Sequence, residues 1–177
     1  DLPRQNLGVL LQQKGDFDGA VAQFRSAIEH ARDQKTVEDN RRNLGDALIG
    51  KGFIRYRQGR IQEAVACFRE SHELVPGRAD TLGRLGQAQM AAGNIPEALV
   101  SLEEAARLAP NDGKILNRLA VAYVSAGRLD EGVAAWRNAV RLSPDLEGAP
   151  DGLPRVLATS GRADLVKKLG LAGWAED

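Results

Sequence analysis

Apolar positions along this chain recur at three- and four-residue steps, broken at regular intervals by glycine and proline. Leu48, Gly52 and Tyr56 stand four apart on one stripe, and Gly59 follows. Ala64, Phe68, Ser71 and Leu74 form the next stripe, before Pro76. The pattern returns as Leu82, Leu85, Gly86 and Gln89 to Gly93, then Ala98, Leu102, Ala105 and Leu108 to Pro110. It returns again as Leu116, Leu119, Ala120 and Tyr123 to Gly127, then Gly132, Trp136, Ala139 and Leu142 to Pro144. A period near 3.6 residues predicts amphipathic helices. The punctuation predicts pairs: glycine ends the first helix, and proline marks the end of the second.

The pairs keep a fixed phase. Gly59, Gly93, Gly127 and Gly161 lie 34 residues apart, as do Pro76, Pro110 and Pro144. Ala64, Ala98 and Gly132 share that step, and so do Phe68, Leu102 and Trp136. Such a period reads as a helix-turn-helix repeat whose units must stack, because one pair is too thin to bury its own apolar face. Small residues are expected where helices cross (Gly52, Gly86, Ala120; Ala64, Ala98, Gly132), and large ones in the wedges (Phe68, Leu102, Trp136). Asn94 and Asp130 are expected at or near helix caps. Taken alone, Gly132 should weaken its helix by roughly 1 kcal/mol relative to alanine.

An earlier pair carries Leu7, Gly8 and Leu11 before Gly15, then Ala20, Phe24, Ala27 and Ile28. From Gly15 to Gly59 the step is 44 residues rather than 34. The extra residues, within 30–42, are polar and hold neither Gly nor Pro, so both flanking helices are expected to lengthen, with a break within 34–39; a flexible insertion is the alternative. Beyond Pro144 the pattern decays. Leu153, Val156 and Leu157 before Gly161, then Ala163, Leu165, Val166 and Leu169 before Gly170, predict two short capping helices, with Trp174 folded back on them.

Composition narrows the function by exclusion. The 24 basic and 24 acidic residues cancel, so no long-range pull toward nucleic acid or anionic membrane is expected. Arg41, Arg42, Lys51, Arg55, Arg57 and Arg60 make one basic region, but it has no recognisable nucleic-acid reading element. No apolar stretch is long enough to span a membrane. The single cysteine, Cys67, permits no intrachain disulfide and is compatible with a reducing compartment, so the cytoplasm is the favoured location. The first residue is Asp1, which suits a processed form or an excised fragment. His30 and His72 are the only histidines, neither at metal-ligand spacing, and no phosphate-loop or nucleophile-elbow motif occurs. Neither an enzymatic activity nor a cofactor is expected.

Residues 6–27, 48–76, 82–110 and 116–144 resemble the tetratricopeptide repeat family, with Leu-Gly and a following aromatic on the first helix, a closing Gly, then Ala, Phe, Ala and Pro. Arg55 and Gln89 depart from the aromatic, which should reduce packing in the wedge, and Gly132 departs from alanine. The resemblance implies an all-α, right-handed superhelical solenoid of antiparallel helix pairs. Its repeats would run approximately 3–36 with an extension to 43, 44–76, 79–110 and 113–144, followed by degenerate capping helices over 145–177.

In that family the first helices line a concave groove. The groove residues implied here are Gln5, Asn6, Val9 and Gln12; Ile49, Gly50, Phe53 and Tyr56; Arg84, Gln87 and Met90; and Lys114, Asn117, Arg118 and Val121. The implied function is a protein-protein interaction scaffold that takes a peptide or partner segment, acidic or phosphorylated near Arg84, Lys114 and Arg118. The amides of a C-terminal carboxylate clamp are missing. The alternatives are a self-association module forming a homo-oligomer, or the regulatory arm of a larger enzyme.

Overall fold

The computed structural model describes residues 2–146, 152–159, 161–168 and 170. All the regular structure among them is helical: α1 (Leu2–Gln13), α2 (Phe17–Glu29), α3 (Gln34–Arg57), α4 (Ile61–Leu74), α5 (Ala79–Ala91), α6 (Ile95–Leu108), α7 (Gly113–Ser125), α8 (Leu129–Leu142), a short 3₁₀ turn (Pro144–Leu146), α9 (Leu153–Thr159) and α10 (Ala163–Lys168). The chain divides into two compact units, Asp1–Ala92 and Gly93–Asp177.

In the first unit α1 pairs with α2 and α3 with α4, while α3 stacks on α2 and α5 on α4. The core between these pairs holds Ala20, Val21, Phe24, Leu44, Ala47, Leu48 and Cys67. Burial pushes the Cys67 thiol above its ordinary range, which makes it an inert packing residue. Crossings are close where the sequence is small. A Cβ on Gly52 would lie 2.8 Å from the Phe68 ring and 3.1 Å from Cys67 Cβ. At the other end of the crossing the buried Ser71 hydroxyl donates to the Gly45 carbonyl at 2.9 Å.

In the second unit α7 stacks on α6 and pairs with α8, and α9 and α10 close over them. Leu153, Leu157, Leu165 and Val166 join Leu116, Ala120, Val124, Trp136, Ala139 and Val140 in one core. Trp136 is fully buried, in the wedge its phase predicts. Arg162 ties the cap to α7 by donating to the Val124 carbonyl at 3.3 Å. Trp174 lies outside the described residues.

The glycines that close the first helices have φ near +80°, Gly59 at 75° and Gly127 at 81°, where a Cβ would be strained. Pro76, Pro110 and Pro144 each follow the last residue of a second helix by two positions. Asp16 and Asp112 cap α2 and α7, accepting from Gly19 N–H at 2.9 Å and from Lys114 N–H at 2.9 Å.

Two expectations about the insertion are corrected. The inserted residues lengthen only one helix: α3 has 24 residues where α5 has 13, whereas α2 has 13. The break falls at residues 30–33, earlier than expected, because Asp33 is a strong N-cap. Its carboxylate accepts from the Thr36 N–H at 2.9 Å and the Thr36 hydroxyl at 2.7 Å, and these bonds hold its pKa below the ordinary value. Asp130 lies near the cap, as expected: Arg128 holds the N-cap position of α8, and Asp130 in the first turn complements the helix dipole. Gly132 stands at the close crossing expected of it: a Cβ there would sit 3.0 Å from the Ala120 carbonyl oxygen and 2.5 Å from Val124 Cγ2.

Candidate functional site

The first unit brings α3 and α5 together around one exposed aromatic. Phe53 is 46% exposed, near the C-terminal end of a helix that buries Leu48 and Gly52. Two guanidinium groups approach its ring, Arg57 from the same helix and Arg84 from α5, each 5.9 Å from the centroid. A cation over an exposed ring contributes about 0.5–1 kcal/mol, enough to bias both side chains toward the aromatic. Arg84 Nε also donates to Asp80 Oδ2 at 2.9 Å, one turn earlier on α5. The arrangement offers an apolar surface flanked by positive charge, suited to a ligand that places an apolar group beside a carboxylate or phosphate.

A second feature of this unit is an open cleft of about 420 Å³, lined by Val9, Gln12 and Gln13 of α1, Phe17, and Asn43 and Asp46 of α3. Asp46 is held by Arg78 Nη1 at 2.5 Å. Asn6 is exposed on α1, and Gln5, Ile49, Tyr56, Gln87 and Met90 are half-buried. Gly50 does not face a groove. The Phe17 ring lies over it, and a Cβ there would be 2.1 Å from a ring carbon.

In the second unit α7 carries Lys114 exposed and Arg118 half-buried, four residues apart. Asn117 is only 1% exposed, so it is an interior residue and not a surface contact. Val121 packs against the Trp136 core. Beside them lies a polar cluster. The Tyr123 hydroxyl donates to Glu103 Oε1 at 3.1 Å, and Arg128 stacks over the Tyr123 ring with its guanidinium 4.3 Å from the centroid. Arg128 also reaches Glu103 at 3.2 Å and grips Glu131 with two bonds of 2.7 and 2.5 Å. Burial first, then the Glu103 charge, raises the Tyr123 pKa, and the bonds from Arg128 lower that of Glu131.

Part of the basic region near α3 is paired from within. Lys51 and Arg55 both meet Asp18, at 2.8 and 2.7 Å, and lower its pKa, the Lys51 hydrogen bond contributing most. Arg60 binds Glu63 through two bonds of 2.6 and 2.7 Å. Among the described residues no group of three His, Cys, Asp or Glu could hold a metal, and no helix is long and apolar enough to cross a membrane.

Tetratricopeptide repeat models match residues 3–76, 50–112 and 84–147. The chain belongs to the tetratricopeptide repeat family. No curated protein matches it. Among solved structures, MamA superposes with a TM-score of 0.63 at 20% identity, over 92% of this chain and 90% of that one. YrrB, described as a tetratricopeptide repeat protein with an unusual peptide-binding site, gives 0.64 at 18% identity over 94% and 81%. The first repeat domain of Spaghetti (RPAP3), bound to an HSP90 peptide SRMEEVD, gives 0.58 at 18% identity over 71% and 93%. At such identities the likeness is one of fold.

Sequence reasoning named Phe53 and Arg84 but not their meeting, and left Arg57 in a general basic region. Arg57 lies four residues after Phe53, the helical spacing that puts two side chains on one face. That signal was present in the sequence. The partnership of Arg84 with Phe53 depends on how α5 lies beside α3, which no local pattern encodes.

Proposed function

We propose that this tetratricopeptide repeat chain is a protein-interaction scaffold that binds a partner segment across the exposed face of α3 and α5. Phe53 takes an apolar side chain of the segment, and Arg57 and Arg84 take an acidic or phosphorylated group next to it. The observation that carries the reading is the exposed Phe53 ring flanked by two guanidinium groups. An exposed aromatic with arginine neighbours has the composition of interface hot spots. The peptide bound by the Spaghetti domain contains consecutive glutamates, which lends the reading support by analogy of fold.

The test begins with affinity capture of a partner by the intact chain. The recovered partner is then titrated calorimetrically against the chain, a Phe53→Ala variant and an Arg84→Glu variant. Each variant should weaken binding by about tenfold or more while leaving the melting curve nearly unchanged, because both side chains lie at the surface. Added salt should weaken the complex through screening over about 10 Å at 0.1 M. Equal affinity for both variants removes this face from consideration.

A further inference from the structure

We infer that the Phe53 face takes a singly charged carboxylate in preference to a phosphate dianion, and that Asp80 sets this choice. The inference rests on the proposed binding of a segment beside Phe53 and narrows the chemistry of its acidic group. Three charges gather at the ring. Arg57 and Arg84 bring two positive ones, each guanidinium 5.9 Å from the centroid. Asp80 brings a negative one, because its Oδ2 accepts from Arg84 Nε at 2.9 Å.

The other charges of this part of α3 and α5 are paired elsewhere. Asp46 and Arg78 meet each other at 2.5 Å. Lys51 and Arg55 reach Asp18 on α2, and Arg55 also meets Glu63 on α4. Arg57 is exposed and makes no hydrogen bond or ion pair among the described residues. Two arginines and one aspartate leave the face with a single net positive charge.

Asp80 also takes one edge of the Arg84 guanidinium. With Nε bonded, the edge left for a ligand is the one formed by the two Nη groups, which hold no hydrogen bond among the described residues. That edge matches the two oxygens of one carboxylate. A phosphate monoester carries about −1.5 to −2 at pH 7. A carboxylate leaves the face neutral, whereas a phosphate leaves it negative and sets its second charge against Asp80. The ionised form of Asp80 is favoured by its place in the first turn of α5, at the positive end of the helix dipole. Its side chain is 58% exposed, so its charge acts on whatever docks beside Arg84.

The probes are two peptides, acetyl-Gly-Ser-Leu-Glu-Ser-Gly-amide and the same sequence with phosphoserine in place of glutamate. Each is titrated into the isotopically labelled chain at ~0.01 M ionic strength, where the screening length is about 30 Å. Backbone amide shifts on α3 and α5 and the Nε–H signals of Arg57 and Arg84 report binding. Both peptides should shift these signals, the glutamate peptide binding at least as tightly as the other. Asp80→Asn keeps an oxygen that can accept from Arg84 Nε and removes the charge. Because Coulomb energy scales with ligand charge, the gain for a dianion is the square of the gain for a monoanion. The variant should tighten the glutamate peptide by about threefold and the phosphoserine peptide by about tenfold, turning the preference toward phosphate. Asp80→Glu, which retains the charge, should keep the original preference. Circular dichroism checks that each variant keeps its helices.

Three results overturn the inference. A phosphoserine peptide bound several-fold more tightly by the unaltered chain removes it and leaves the Phe53 reading standing. So does an unchanged ratio of the two affinities in Asp80→Asn, since a merely structural Asp80 would move both peptides alike. The absence of shifts around Phe53 with either peptide at millimolar concentration removes the Phe53 reading itself, and the inference with it.

Discussion

The α3–α4 and α7–α8 pairs solve the same packing problem with their residues exchanged. In the first, the glycine is on the first helix, Gly52 against Phe68 and Cys67, and the second helix carries Ala64; in the second the order is reversed, with Ala120 on the first helix and Gly132 on the second, against the Ala120 carbonyl and Val124. The larger wedge, Trp136 instead of Phe68, goes with the second arrangement. What the crossing requires is a combined small volume, and either helix can provide it. A glycine that looks like a departure when its own helix is considered becomes a requirement when the opposing carbonyl is 3.0 Å from where its Cβ would be.

The same pairs diverge in the position 68 residues apart that holds Arg55 and Tyr123. Arg55 bridges Asp18 of α2 and Glu63 of α4, at 2.7 and 3.3 Å. Tyr123 bonds Glu103 of α6 and lies under Arg128 of the α7–α8 turn. Both side chains tie a pair to the second helix before it, one by ion pairing and the other by an aromatic ring with a hydroxyl. The expectation that Arg55 merely weakens the wedge is corrected by this network. At this slot Arg55 and Tyr123 each reach an acid on the helix before the pair.

The largest effect that can break the comparison comes from the wedge. Trp136→Ala should cost ~3–5 kcal/mol in denaturant melts, the range for large aromatics in cores. It removes the centre of a cluster to which α7, α8, α9 and α10 all contribute. A loss below about 1 kcal/mol would contradict the buried position. Gly132→Ala follows. Alanine adds about 1 kcal/mol of helix propensity, but overpacking costs about 1–3 kcal/mol. A net loss near 1 kcal/mol is expected in the same melts, and a gain would show that the crossing can open freely.

The smallest effect is in pH, where the two slots should respond in opposite directions. Asp18 has its pKa lowered below 3.8 in the folded chain, so its contribution is complete above that value and is lost as pH falls through the folded pKa. Tyr123 has its pKa raised above 10.0, so its contribution is complete below that value and is lost as pH rises through the folded pKa. Hydrogen exchange across the pH range should show the α2–α3 contact loosening in acid and the α6–α7 contact loosening in base. Asp18→Asn should blunt the first response and Tyr123→Phe the second. Asp18 is well exposed, so screening keeps its share modest.

The helices were legible because their signals are local. Apolar spacing, the closing glycines and the prolines two residues beyond α4, α6 and α8 each act within a turn or two of chain. The burial of Trp136 was legible from its phase with Phe68 and Leu102. The start of α3 was also local, written in Asp33 and Thr36, but a polar stretch without glycine hid it. The candidate site was less legible. Gly50 was expected on an open face and lies beneath Phe17, and Asn117 was expected at the surface and is buried. Both follow from the rotation of a helix about its axis, which is set by the helices packed against it.

By itself, then, the sequence determined the helical pairs, the repeat phase, the small crossings and the large wedges, since each depends on spacing along one chain. Only the tertiary structure decided that α3 alone absorbs the insertion and that Gly132 is required by a facing carbonyl. It also decided that Arg55 spans two acids and that Arg57 and Arg84 converge on Phe53. These are contacts between residues far apart in sequence, and their distances depend on how whole helices settle against one another.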